Sequence, residues 1–226
     1  MLATRSQATR IDWRVPGVLI ALTIVPLLAG GARLAQLASS APAIGDSARF
    51  SASPTPVVLH IIAASIFGVL GALQFVPQFR SRGTRWHRMA GRLVLPSGFV
   101  VALTGLWMTQ FYAAIATDST LLHATRMVVG GAMLSALSMA IFALRRRAFD
   151  AHGDWMIRAY ALGMGAGTQV LTHLPWFLLI GTPGPTSRAL LMGAGWAINI
   201  GVAEWTIKRG SRRLLPAHHV GEAPAC

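Results

Sequence analysis

Six stretches of this chain are almost free of charge and similar in length. Apolar residues dominate at about Val15 to Ala38, Pro56 to Val76, Leu93 to Ile115, Leu121 to Leu144, Trp155 to Ile180 and Ala189 to Ile207. With a rise of about 1.5 Å per residue, each is long enough to cross about 30 Å of hydrocarbon as an α-helix. Between them lie short segments of turn and breaker residues: Pro42 to Pro54, Pro77 to Arg92, Ala116 to Thr120, Arg145 to Asp154 and Gly181 to Arg188. None has room for a soluble domain. The pattern predicts an all-α polytopic protein of six transmembrane helices, forming a single integral membrane domain over residues 1–226. Spans two to five, about 56–180, are expected to form a four-helix bundle flanked by helices at about 15–38 and 189–207, with a polar tail at 208–226.

Composition agrees with the pattern. Hydrophobic residues make up 54% of the 226 and charged residues only 12%, half the roughly 25% of an ordinary soluble domain. A soluble enzyme is not expected on that ground. The formal charge of +13 would suggest nucleic acid on a soluble chain, so the positions of the charges have to decide.

Alternate sides of the six spans receive very different shares of the Lys and Arg. One side takes Arg5, Arg10, Arg14, Arg80, Arg82, Arg85, Arg88, Arg92, Arg145, Arg146, Arg147, Arg158, Lys208, Arg209, Arg212 and Arg213, leaving only Arg33, Arg49, Arg126 and Arg188 for the other. Cytoplasmic loops collect basic residues, so the first side is expected to be cytoplasmic, with both termini on it. The positive charge then reflects topology, and no nucleic-acid partner is expected. The first span has a second reading as a cleaved signal peptide, because Arg5, Arg10 and Arg14 precede it and Ala38-Ser39-Ser40-Ala41 follows it. Its apolar stretch exceeds the usual 7 to 15 residues of such a signal, which favours a retained helix. The single cysteine, Cys226, leaves no intrachain disulfide and no CxxC motif.

The remaining polar groups with chemical potential are histidines. His60, His123 and His173 fall toward the outer ends of their spans, while His87 and His152 sit at the cytoplasmic feet of the third and fifth. Two layers of histidine across a helical bundle match the needs of two b-type haems, each iron taking an imidazole from each of two helices. The expected pairs are His60 with His123 and His87 with His152. Gly68, Gly71 and Gly130 could open slots for a planar ligand, and Arg88, Arg92, Arg126 and Arg158 could receive propionates through charge-assisted hydrogen bonds. The bland alternative stands beside this one: small residues also serve helix packing, and interfacial histidines also cap helices. Glu204, four residues before Lys208, is expected to pair with it. Gln74, Gln110, Gln169 and Asn199 are expected to bond between helices. Buried carboxylates of the kind that proton- or cation-coupled transporters use are nearly lacking, and the run Gly163, Gly165, Gly167 lies inside a span, which excludes a nucleotide fingerprint.

Three separated strings carry a resemblance to a family. The His60 helix ending Gly71-Ala72-Leu73-Gln74-Phe75, the string His87-Arg88-Met89-Ala90-Gly91-Arg92, and Trp155-Met156-Ile157-Arg158-Ala159-Tyr160 after His152 resemble the bacterial membrane proteins grouped as domain-of-unknown-function family 2306. The resemblance implies a multi-pass protein of the bacterial inner membrane and marks His60, His87, Arg88, Gly91, Arg92, His152, Trp155 and Arg158 as family-like positions. It implies no activity. Histidine layering also gives a weaker likeness to di-haem transmembrane cytochrome b proteins. The expected function is therefore electron transfer linked to haem b or a quinone, with His60, His87, His123 and His152 as iron ligands and a separate redox partner. The alternative is a non-catalytic membrane protein, such as a permease subunit or an assembly or lipid-interacting factor, with structural histidines.

Overall fold

The computed structural model of the chain describes residues 13–39, 48–76 and 85–214, with side chains described as far as residue 210. Arg5, Arg10, Arg80, Arg82, His218, His219 and Cys226 lie outside the described residues, as do the side chains of Arg212 and Arg213. Every regular element among the described residues is a helix. These are α1 (Arg14–Ala38), α2 (Ala48–Ala52), α3 (Pro54–Leu73), α4 (Arg85–Phe111), α5 (Thr120–Arg145), α6 (Phe149–Gly163), α7 (Gly165–Leu179) and α8 (Pro185–Leu214).

Five of the helices, α1, α3, α4, α5 and α8, are long and apolar enough to cross a membrane. The expected fifth of six spans departs from that pattern. It is interrupted at Met164 (φ −78°, ψ 4°), so α6 and α7 are separate helices of 15 residues each. The interruption falls inside the run Gly163-Met164-Gly165-Ala166-Gly167, where glycine lowers helix stability by about 1 kcal/mol per residue relative to alanine. The carbonyls around the break are served by α8: Trp196 Nε1–H donates to the Leu162 carbonyl at 3.2 Å and Asn199 Nδ2–H to that of Ala161 at 3.0 Å. Away from water, a broken helix needs such donors for its backbone.

Consecutive helices α3, α4, α5 and α6 pack against one another in chain order, and α6 also touches α3, α4, α7 and α8. Outside these four, α8 runs along α5, α6 and α7, and α1 packs on α3 and α7. The core centres on Phe67, 2% exposed. Its ring fills the space beside Gly98 and Gly163, which have no side chains to obstruct it. Tyr160 packs against Phe67 and Phe75, with ring centroids 5.6 and 5.2 Å away, and its hydroxyl donates to the Gly68 carbonyl at 2.8 Å. Large apolar side chains cover the periphery, with Leu28, Val128, Leu178 and Leu179 all exposed. On a water-soluble monomer such a surface would promote aggregation; on a bundle of apolar helices it is the face presented to lipid.

Candidate functional site: the cavity below Asp118

The break at Met164 shapes the interior. Beyond it, α7 packs on α8 and α1, whereas α6 before it lies against α5, α4 and α3. Toward the Asp118 end of the molecule, this leaves space between α3, α4, α5 and α8. A cavity of about 320 Å³ fills that space, with Met108, Met133, Leu162 and Trp196 among its apolar walls and Arg49 and Arg126 also lining it. A second cavity of about 330 Å³ lies between α1, α3 and the break, walled by residues such as Leu27, Ile61 and Met164. Such volumes fall at the lower end of the range for small-molecule sites.

His60 borders both cavities. Its Nδ1 is 2.9 Å from Thr104 Oγ1 on α4, and that hydroxyl donates to the Val100 carbonyl at 2.5 Å. A hydroxyl has a single proton to donate. With the Thr104 proton on the Val100 carbonyl, the hydroxyl oxygen faces His60 Nδ1 as an acceptor, the arrangement that pairs with the tautomer protonated at Nδ1. An imidazole oriented by a hydrogen bond at one nitrogen and bare at the other has the usual form of a metal-ligating histidine or a hydrogen-bond acceptor.

A cluster of one carboxylate and three guanidiniums lies at the same end. Asp118, in the connection between α4 and α5, accepts from Arg188 Nη1 at 3.2 Å, Arg126 Nη1 at 3.3 Å and Arg49 Nη1 at 3.5 Å. Arg188 also donates to Thr117 Oγ1, and the Ile115 N–H reaches Asp118 Oδ2 at 3.3 Å. Burial would raise the Asp118 pKa, but the Ile115 N–H and the charges of Arg126, Arg188 and Arg49 outweigh it and hold the carboxyl below the ordinary value of 3.8. Phe50 lies under two guanidiniums, Arg33 at 4.6 Å and Arg49 at 4.8 Å from its centroid. Arg33, Arg49, Arg126 and Arg188 are the four arginines that break the charge bias along the chain, and the fold gathers them at one end. Sequence reasoning singled out only Arg126 as a site residue. Their failure to follow the charge bias was the signal that could have found the others.

The other expected site residues are dispersed. His123 is exposed on the first turn of α5 and lines neither cavity. His152 is at the opposite end, where its Nδ1 is 2.9 Å from the Ala140 carbonyl. His87 is half-buried at the foot of α4, with its own carbonyl accepting from Gln74 Nε2 at 3.3 Å. Arg88 and Arg92 are exposed on the same helix. Arg158 holds Glu204 through Nε at 2.6 Å and Nη2 at 3.1 Å, with its guanidinium 4.7 Å from the Trp155 centroid. The direct partner of Glu204 is thus Arg158 on another helix, a correction to the expected pairing with Lys208. His173 Nδ1 is 2.8 Å from the Gln169 carbonyl one turn earlier.

Of the expected glycine slots, Gly130 lines the first cavity and Gly68 the second, and all three glycines also admit a neighbouring side chain. A methyl group at Gly71 would strike the Tyr160 ring, one at Gly130 would strike Leu106, and one at Gly68 would press on Thr23. The protein's own side chains pack into these openings. The polar residues expected to bond between helices do so at Gln169, whose Nε2 donates to the Met192 carbonyl at 3.3 Å, and at Asn199, whose Oδ1 accepts from Thr168 Oγ1 at 2.6 Å.

The matching family model is described as a predicted membrane protein and covers residues 57–207, from near the start of α3 to near the end of α8. The chain belongs to this family, DUF2306. No curated protein and no solved structure matches it. It is a membrane protein whose matched region includes His60, Thr104, Asp118, Arg126 and Arg188.

Proposed function

We propose that the protein holds one lipophilic cofactor, a b-type haem reaching across both cavities that His60 borders or a smaller quinol in one of them, with His60 presenting Nε2 to it. The observation that carries this reading is a His60 ring held at Nδ1 by Thr104 while it borders two cavities, which suits the tautomer with a free lone pair on Nε2. That nitrogen suits an iron, or the hydroxyl of a quinol; it cannot donate to the carbonyl of an oxidised quinone. Arg49 and Arg126, both lining the cavity, suit haem propionates. A haem bound here would supply one-electron chemistry, while this chain would orient the ligand imidazole through Thr104 and exclude water with Met108, Met133 and Trp196. His123, on the first turn of α5, lies at the same end as His60, whereas His87 and His152 belong to the other end. The reading is therefore of one site, not of two stacked haems.

Full-length protein, expressed with adequate haem and purified in detergent, tests it. The expected result is a Soret band that shifts on dithionite reduction and is lost in His60→Ala but kept in His87→Ala and His152→Ala. A colourless preparation from which stoichiometric quinone is extracted, and from which it is missing in His60→Ala, selects the quinol. A folded preparation with neither group overturns the reading and leaves the histidines to packing.

A further inference from the structure

The cluster above the cavity has more positive charge than its own carboxylate can balance. Three guanidiniums share Asp118, so the group carries a surplus of two positive charges. None is fully in water: the side-chain exposures are 17% for Arg49, 25% for Arg126 and 23% for Arg188, against 13% for Asp118. Leaving charge uncompensated in such a place is costly. The contacts are also long, from 3.2 to 3.5 Å, and each arginine reaches the carboxylate through Nη1 alone. A guanidinium carries five N–H groups in a fork that matches carboxylate or phosphate. Arg49 Nε is buried with no hydrogen-bond partner at all, and an orphaned donor beside surplus charge is what an absent acceptor leaves behind.

The geometry points to an oxyanion site: Arg49, Arg126 and Arg188 take the carboxylate or phosphate group of an amphiphile whose apolar part enters the His60 cavity. The two features are continuous because Arg49 and Arg126 line that cavity while also contacting Asp118. The inference rests on the cofactor reading only in placing an apolar group in the same cavity. It also sharpens that reading, since an acid-bearing group fits the rim and a neutral quinol does not use it.

Binding of three probes to the full chain in neutral detergent separates the cases: oleate, oleyl alcohol with the same tail and no charge, and acetate with the charge and no tail. The expected result is thermal stabilisation by oleate, with at least ten-fold weaker binding of oleyl alcohol and of acetate. Arg126→Gln and Arg49→Gln should each weaken oleate at least ten-fold, Arg126→Lys should retain part of the affinity, and Arg209→Gln at the far end should change nothing. If an arginine variant does not fold, Met133→Trp, which fills the cavity below an intact rim, should abolish oleate binding. Equal affinity for oleate and oleyl alcohol overturns the charged site, and equal affinity for acetate and oleate overturns the amphiphile. Failure to bind any probe overturns the inference altogether. A colourless, quinone-free protein that still binds oleate through Arg126 refutes the cofactor reading alone.

Discussion

The two ends of the molecule handle charge in opposite ways. At one end Arg158 and Glu204 form a closed pair, with two hydrogen bonds at 2.6 and 3.1 Å and the indole of Trp155 beneath the guanidinium. The pair is balanced, and no cavity described above borders it. At the other end one carboxylate is shared by three arginines at longer range, and two of them face a cavity. A one-to-one bidentate pair satisfies both partners and fixes two helices, α6 and α8. A three-to-one cluster holds α2, α5 and α8 to the α4–α5 connection while leaving donors and charge uncommitted. The contrast is between an ion pair that is saturated and one that is not.

Removing the shared carboxylate should break this contrast most severely. Asp118→Ala leaves three partly buried arginines repelling one another, and a cost of about 3–5 kcal/mol is expected, read as a fall in Tm in detergent. A drop no larger than that of a surface substitution would mean that the arginines are already solvated. The cavity depends on the break in α6–α7, so Gly165→Ala comes next. The added methyl meets the Trp196 indole, which has to move from the Leu162 carbonyl, with an expected loss of about 1–3 kcal/mol and altered tryptophan emission. Glu204→Gln at the saturated end should lower stability by only about 1 kcal/mol or less, because the side chain is 36% exposed and solvent screens the pair.

Acid gives the mildest test, without changing a residue. The Asp118 carboxyl is depressed in the fold, so its stabilising contribution is complete above the ordinary value of 3.8 and is lost as pH falls below it. Stability of the wild-type protein should decline in that window, and the decline should be smaller in Asp118→Asn. An identical acid profile for the two proteins would show that Asp118 does not link this end to pH.

The sequence made some of this legible at once. Runs of apolar residues the length of a bilayer predicted helices, and five have that length and character in the fold. The interruption at Met164 was visible only as three glycines spaced two apart. Hydropathy does not register a break when the residues on both sides are apolar. The glycines next to His60 and His123 were ambiguous for a related reason: absence of a side chain reveals an opening but not what fills it, and here Tyr160, Leu106 and Thr23 do. Position along a span says nothing about rotation around the helix axis. That rotation is why His60 faces two cavities while His123 faces outward.

What the sequence determined by itself was membership of the membrane class and the helical character of its apolar runs, because hydrophobicity is a local property of consecutive residues. Partner choice was decided only by the tertiary structure. Glu204 found Arg158 across 46 positions of chain, and Asp118 found Arg49 and Arg188 across 69 and 70. Those pairings depend on which helices are neighbours, which no window along the chain contains. Four arginines that looked like scattered exceptions thereby became one positively charged rim above His60.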